Sequence, residues 1–125
     1  MIGAQKLHMR ISYIKEIKEA DNMRFHNINI RNIMAEALNK GGIIVDVRER
    51  EEFVSGHIPM AINLPLQKLR QGNISMPRGK VLILYCETGG RSTAAASILS
   101  EKGYKVINTV GGLKEYRGAL TKGGR

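Results

Sequence analysis

Val81-Leu82-Ile83-Leu84-Tyr85 constrains the fold more than any other stretch of the chain. Five consecutive residues without polar alternation suit a strand buried on both faces, and such strands belong to parallel sheets covered by helices on each side. The next segment agrees with that assignment. Ser92 to Lys102 reads as a helix with Ala95, Ile98 and Leu99 on one side, and Gly103 is placed to end it. Strand, loop and helix are thus laid out in the order that a βαβ unit requires.

Upstream, short apolar runs alternate with helical patterns. Asn27 to Ile30 suggests a short strand, and Ile33 to Leu38 a helix closed by Gly41-Gly42. The β-branched run Ile43-Ile44-Val45-Asp46-Val47 predicts a second buried strand. Glu49 to Val54 predicts one or two helical turns stopped by Gly56 and Pro59. Ala61 to Leu64 reads as a strand, Leu66 to Arg70 as a brief helix, and Gly72 to Gly79 as a loop. Downstream, Val106 to Thr109 reads as the last strand, and Gly111-Gly112 opens a turn before a closing helix over about Leu113–Leu120. The expected architecture is α/β, a mostly parallel sheet with helices on both faces.

The chain has 125 residues, enough for one domain. Residues 1–24 read as an N-terminal extension, with Ile11, Tyr13, Ile14 and Ile17 forming a short helical stripe; residues 25–125 form the expected domain. No run reaches the ~20 apolar residues of a membrane span, and Met1 to Arg10 lacks the apolar core of a secretory signal. The net charge is +9, but the basic residues are dispersed and unaccompanied by stacking aromatics. Neither a membrane nor a nucleic-acid partner is therefore expected. A single cysteine excludes an internal disulfide, a multi-cysteine zinc site and a CxxC redox couple, and fits a reducing, cytoplasmic setting.

That cysteine opens the loop Cys86-Glu87-Thr88-Gly89-Gly90-Arg91-Ser92, just past the carboxyl end of the strongest strand. Ligands of open α/β sheets bind at this edge. The start of the next helix offers unpaired N–H groups and partial positive charge, and Gly89-Gly90 lets the loop curl around one centre. A thiol placed there is favoured as thiolate by the helix start and by Arg91, which also offers a planar donor fork to an oxyanion. The same cradle would stabilise a persulfide.

Three motifs in this order resemble the rhodanese family. They are Ile44 to Glu49 with Phe53, Gly56-His57-Ile58-Pro59 and Ala61 to Leu66; then Tyr85 to Ser92 with Ala95, Leu99 and Gly103-Tyr104; then Val110-Gly111-Gly112-Leu113. The resemblance covers roughly residues 26–120. It implies a five-stranded parallel sheet and a sulfurtransferase that takes sulfane sulfur from a donor such as thiosulfate, holds it on Cys86 and passes it to cyanide, a dithiol or a protein. Glu87 through Arg91, with Ser92, would form the substrate cradle. No cofactor or metal is implied, and a monomer is expected. The segment Cys86–Arg91 has the sulfurtransferase length, whereas phosphatase relatives use a loop one residue longer and a His where Tyr85 stands. Met60 departs from the family's usual Gly, and Tyr116 stands where Trp is common.

Asp46, Arg48 and His57 are expected to support the site: the first two as an ion pair bracing loops, the third within a Gly-His-Ile-Pro turn. Glu87 would either face the pocket or turn to its rim. The competing functions are a relay module that exchanges persulfide only with partner proteins, a phosphatase or arsenate reductase, and a noncatalytic binding domain.

Overall fold

The apolar run 81–85 forms the middle strand of a five-stranded sheet in the computed structural model, which describes residues 25–124. The strands are β1 (His26–Asn29), β2 (Ile43–Asp46), β3 (Ile62–Asn63), β4 (Val81–Tyr85) and β5 (Lys105–Val110). Their spatial order is β1-β5-β4-β2-β3, and every neighbouring pair is parallel. Four helices connect them: α1 (Ile33–Lys40), α2 (Arg50–Ser55), α3 (Leu66–Arg70) and α4 (Gly90–Glu101). The 1–24 extension, with its expected helical stripe, lies outside the described residues.

Alternation along β4 divides the core. Leu82 and Leu84 join a cluster with Leu66, Leu69, Ala95, Ala96 and Leu99, from α3 and α4. Ile83 and Tyr85 join the opposite cluster with Ile33, Ala37 and Phe53, from α1 and α2. Helices therefore cover both faces, which is why β4 carries no polar alternation. Each fully buried Leu or Ile contributes roughly 1.5–3 kcal/mol relative to exposure.

The connections also locate the site. After β2 the chain steps outward to β3 on one side; after β4 it steps to β5 on the other. The loops leaving β2 and β4 therefore diverge and open a crevice at the carboxyl edge, the position at which ligands of open α/β sheets bind. Asp46 and Tyr85, the last residues of the two strands, are register partners there.

The closing helix expected over 113–120 is absent. A single 3-10 turn, Leu113–Glu115, takes its place, and the chain then runs extended. The tail instead pairs with a distant segment: His57 and Thr121 exchange two backbone hydrogen bonds of 2.9 and 2.8 Å, and Gly123 N–H donates to the Val54 carbonyl at 2.7 Å. Those bonds tie down the chain just beyond the segment, and a two-turn helix interrupted by Gly118 is marginal by itself. Helix α4 begins at Gly90, two residues ahead of expectation, and Ile30 sits in a buried 3-10 turn rather than in β1.

Candidate active site

Cys86 follows β4 directly and is 1% exposed. Its Sγ accepts hydrogen bonds from the backbone N–H groups of Gly89, at 3.0 Å, and Ser92, at 3.3 Å. Gly89 is the residue that caps α4, at φ +111°, and it has no side chain to satisfy the first helical N–H groups. The cysteine sulfur does so instead, occupying the place that a capping oxygen ordinarily fills. A negative charge on that sulfur faces the positive end of a 12-residue helix.

The loop is held from behind and from the side. The Gly89 carbonyl accepts from Ser92 Oγ, from the Thr93 N–H and from Thr93 Oγ1, the last at 2.8 Å, which turns the Gly89 N–H toward the thiol. Thr93 Oγ1 in turn accepts from Asn108 Nδ2 on β5. The Cys86 carbonyl accepts from Leu113 N–H at 2.9 Å, and Gly112 packs so closely that a Cβ on it would lie 2.0 Å from the Glu87 carbonyl oxygen. The Gly111-Gly112 doublet is thus a buttress for the cysteine loop as well as a turn.

Asp46 and Arg48 are almost fully buried and bonded to each other through the Arg48 N–H, Nε and Nη2, at 2.8–3.1 Å. Arg48 Nη2 also donates to the Gly56 carbonyl at 2.6 Å, and Nη1 reaches Glu87 Oε2 at 3.3 Å. Burial alone would lower the Arg48 pKa, but the bond to Asp46 and the surrounding negative charges together raise it. Tyr85 Oη donates to Asp46 Oδ2 at 2.7 Å and accepts from Ile58 N–H at 3.0 Å. Burial, followed by the neighbouring Asp46 charge, pushes the Tyr85 phenol well above its ordinary range, so it stays a neutral donor. Asn63 Nδ2 completes the brace by donating to the carbonyls of Asp46 and Arg48.

The two charged loop residues therefore both lean on the segment after β2. Glu87 takes Arg48, and the Arg91 guanidinium is closed on Glu52 in a fork of 2.6 and 2.8 Å. The expectation of an Arg91 fork open to an oxyanion meets a carboxylate already in it. Glu87 turns sideways to Arg48, with its side chain 36% exposed. His57 lies apart from the cysteine cluster: it stacks on Phe53 with centroids 3.7 Å apart, and its Nδ1–H donates to the Phe53 carbonyl at 2.8 Å. Thr88 and Gly90 are exposed at the rim.

Sequence reasoning missed Glu52, Asn63 and the hydroxyl of Tyr85. The pairing of Glu52 with Arg91 spans 39 residues and leaves no local signal, although Glu49 and Glu52 have the spacing of a capping box. For Tyr85 the signal was a polar tip ending an otherwise apolar strand. Among the described residues no group of His, Cys, Asp and Glu is arranged to hold a metal, and no helix is long and apolar enough to cross a membrane.

The rhodanese-like domain model matches residues 31–119. Over 80 residues the chain is 41% identical to the tRNA sulfurtransferase of Desulfurococcus amylolyticus, covering 64% of this chain and 16% of that protein. It is 33% identical over 81 residues to the thiosulfate sulfurtransferase PspE of Escherichia coli, covering 63% and 78% of the two chains. The crystal structure of a rhodanese homologue from Thermus thermophilus superposes with a TM-score of 0.60 at 34% identity, covering 70% of this chain and 97% of that one. The matched stretch spans less than two thirds of several curated relatives, from 16% to 62% of their length. With its five-stranded parallel sheet and a cysteine loop at the carboxyl edge, the chain belongs to the rhodanese-like domain family of sulfurtransferases and sulfur carriers.

Proposed function

We propose that this protein moves sulfane sulfur through a persulfide on Cys86, drawing on a donor such as thiosulfate and delivering to a thiophilic acceptor. The observation that carries this reading is the capture of Cys86 Sγ by the N–H groups of Gly89 and Ser92 at the start of α4. In the loading step the Cys86 thiolate attacks the outer sulfur of thiosulfate. An Sγ–S bond forms, the S–S bond to the sulfonate breaks, and sulfite leaves with the bonding pair. The negative charge then lies on the terminal sulfur, near the helix start and its N–H groups. In the unloading step an acceptor such as cyanide attacks that sulfur, thiocyanate departs, and the Cys86 thiolate returns.

Gly89 and Ser92 supply the cradle, and Glu87, Thr88, Gly90 and Arg91 form the rim that a donor meets. Asp46 and Arg48 hold the crevice in shape; His57 supports it more remotely, through Phe53 and the C-terminal tail. The six-residue stretch Cys86–Arg91 favours this chemistry over phosphate-ester chemistry, for which the loop is narrow. The lone thiol suits a reducing compartment such as the cytoplasm.

Steady-state kinetics test the reading. Thiocyanate formation from thiosulfate and cyanide should follow double-displacement kinetics, with parallel reciprocal plots, and vanish in Cys86→Ser. Intersecting plots, or activity in Cys86→Ser, would contradict a covalent sulfur intermediate. A relay module working with partner proteins is the second reading, favoured by the occupied Arg91 fork. It would form the persulfide yet turn over small donors slowly.

A further inference from the structure

The charge around the thiol departs from that of the whole chain. Against a net charge of +9, the ion pairs beside the loop set Asp46, Glu52 and Glu87 against Arg48 and Arg91. Both cations are engaged. Arg91 is the one at the rim, about a third exposed, and the Cys86 charge is among those that keep its guanidinium protonated.

Glu52 is not a casual surface partner. Its Oε1 accepts from Glu49 N–H at 3.0 Å, and the Glu49 side chain accepts from the Glu52 N–H in return, so the carboxylate is positioned by the start of its own helix. Both of its oxygens then meet Arg91, the bidentate geometry that a sulfonate or sulfate group would use. The Arg91 hydrogen bond, followed by the backbone bond to Glu49, outweighs burial and holds the carboxyl at about 2, so it is charged throughout the neutral range.

We propose that Glu52 is a specificity-determining residue that biases Cys86 against small sulfur oxyanions by occupying the Arg91 fork. A dianion such as thiosulfate must displace the carboxylate and approach past Glu87. A monoanionic persulfide, R–S–S⁻, has no oxyanion needing the fork and carries half the charge. The Cys86 thiolate attacks its terminal sulfur after protonation to R–S–SH; the Sγ–S bond forms, the donor's S–S bond breaks, and the thiolate R–S⁻ leaves with the bonding pair, the proton staying on the new persulfide. The sulfur transferred has the same oxidation state throughout. This inference rests on the sulfurtransferase reading above and assigns the donor class within it.

The test measures kcat/KM of the full chain for thiosulfate and for glutathione persulfide, in wild type, Glu52→Gln, Arg91→Ala and the double variant. Glu52→Gln should raise the thiosulfate-to-persulfide ratio about five- to ten-fold, the scale of the net gain from a hydrogen-bonded contact when the freed Arg91 fork takes the oxyanion, mostly through a lower thiosulfate KM. In the Arg91→Ala background the same change should alter the ratio less than about two-fold, because there is no fork to free. An unchanged ratio in Glu52→Gln overturns the proposal. So does a fall in both donors together, which would make Glu52 a positioning residue, or a full gain without Arg91. Wild type that forms no persulfide with either donor would instead defeat the sulfurtransferase reading itself.

Discussion

The hydroxyl of Tyr85 joins the central strand to the brace behind the site. It is the one polar atom at the end of a run chosen for burial, and it meets both Asp46 and the Ile58 N–H. Tyr85→Phe would strand the Ile58 N–H and leave Asp46 Oδ2 to Arg48 alone. We expect a loss of about 1–3 kcal/mol in urea unfolding, the cost of stranding buried polar groups. Met60 is the opposite case. It is 81% exposed and the one described non-glycine residue with positive φ, at 71°. Glycine adopts that backbone without a Cβ penalty, so Met60→Gly should stabilise the chain by roughly 0.5–1 kcal/mol, read as a higher urea midpoint. The family resemblance already marked position 60 as unusual, and the left-handed backbone supplies the reason. By contrast, the Glu52–Arg91 fork joins residues far apart in sequence, and no spacing rule could have paired them.

Elements were legible where burial dictates pattern. β4, and β2 up to Asp46, are apolar without interruption because helices cover them on both faces. The two-residue β3 and the end of α1 were read less sharply, since short edges answer to their neighbours more than to their own sequence. The closing helix failed for the same reason. Leu113 to Leu120 has helical spacing, but its first N–H goes to the Cys86 carbonyl and the chain just beyond it, at Thr121 and Gly123, finds partners at His57 and Val54, a choice that only the folded chain offers. The Gly111-Gly112 turn was legible as a turn and not as a support. Its role appears only from the approach of Gly112 to the Glu87 carbonyl. Gly112→Ala should therefore push the cysteine loop out of place. Sulfur loading should fall at least ten-fold in protein that still unfolds cooperatively, and retained loading would show that the loop tolerates the shift.

Across the whole molecule, the site is a junction of three segments: the loop after β4, the start of α2 and the turn after β5. The charged pairs that join the first two also set its response to acid. Because Glu52 titrates at about 2 in the folded protein and near its ordinary 4.5 when unfolded, folding depresses its pKa. Its contribution to stability is fully present above about pH 4.5 and is lost as pH falls through about 2. The melting temperature of wild type should drop more steeply over that interval than that of Glu52→Gln, while equal slopes would mean that the pair contributes nothing measurable. The position of the cysteine at the carboxyl edge, between strands whose connections diverge, could be read from the order of strand, loop and helix. The narrowing of that site by carboxylates could not, because a net charge of +9 predicts the reverse.

Intact mass of the full chain after incubation with thiosulfate, and separately with glutathione persulfide, beside Cys86→Ser treated identically, tests the central claim most directly. We expect the wild type alone to gain the mass of one sulfur atom, about 32 Da, and to lose it on treatment with cyanide or dithiothreitol. No gain from either donor, or an equal gain in Cys86→Ser, would contradict a persulfide on Cys86.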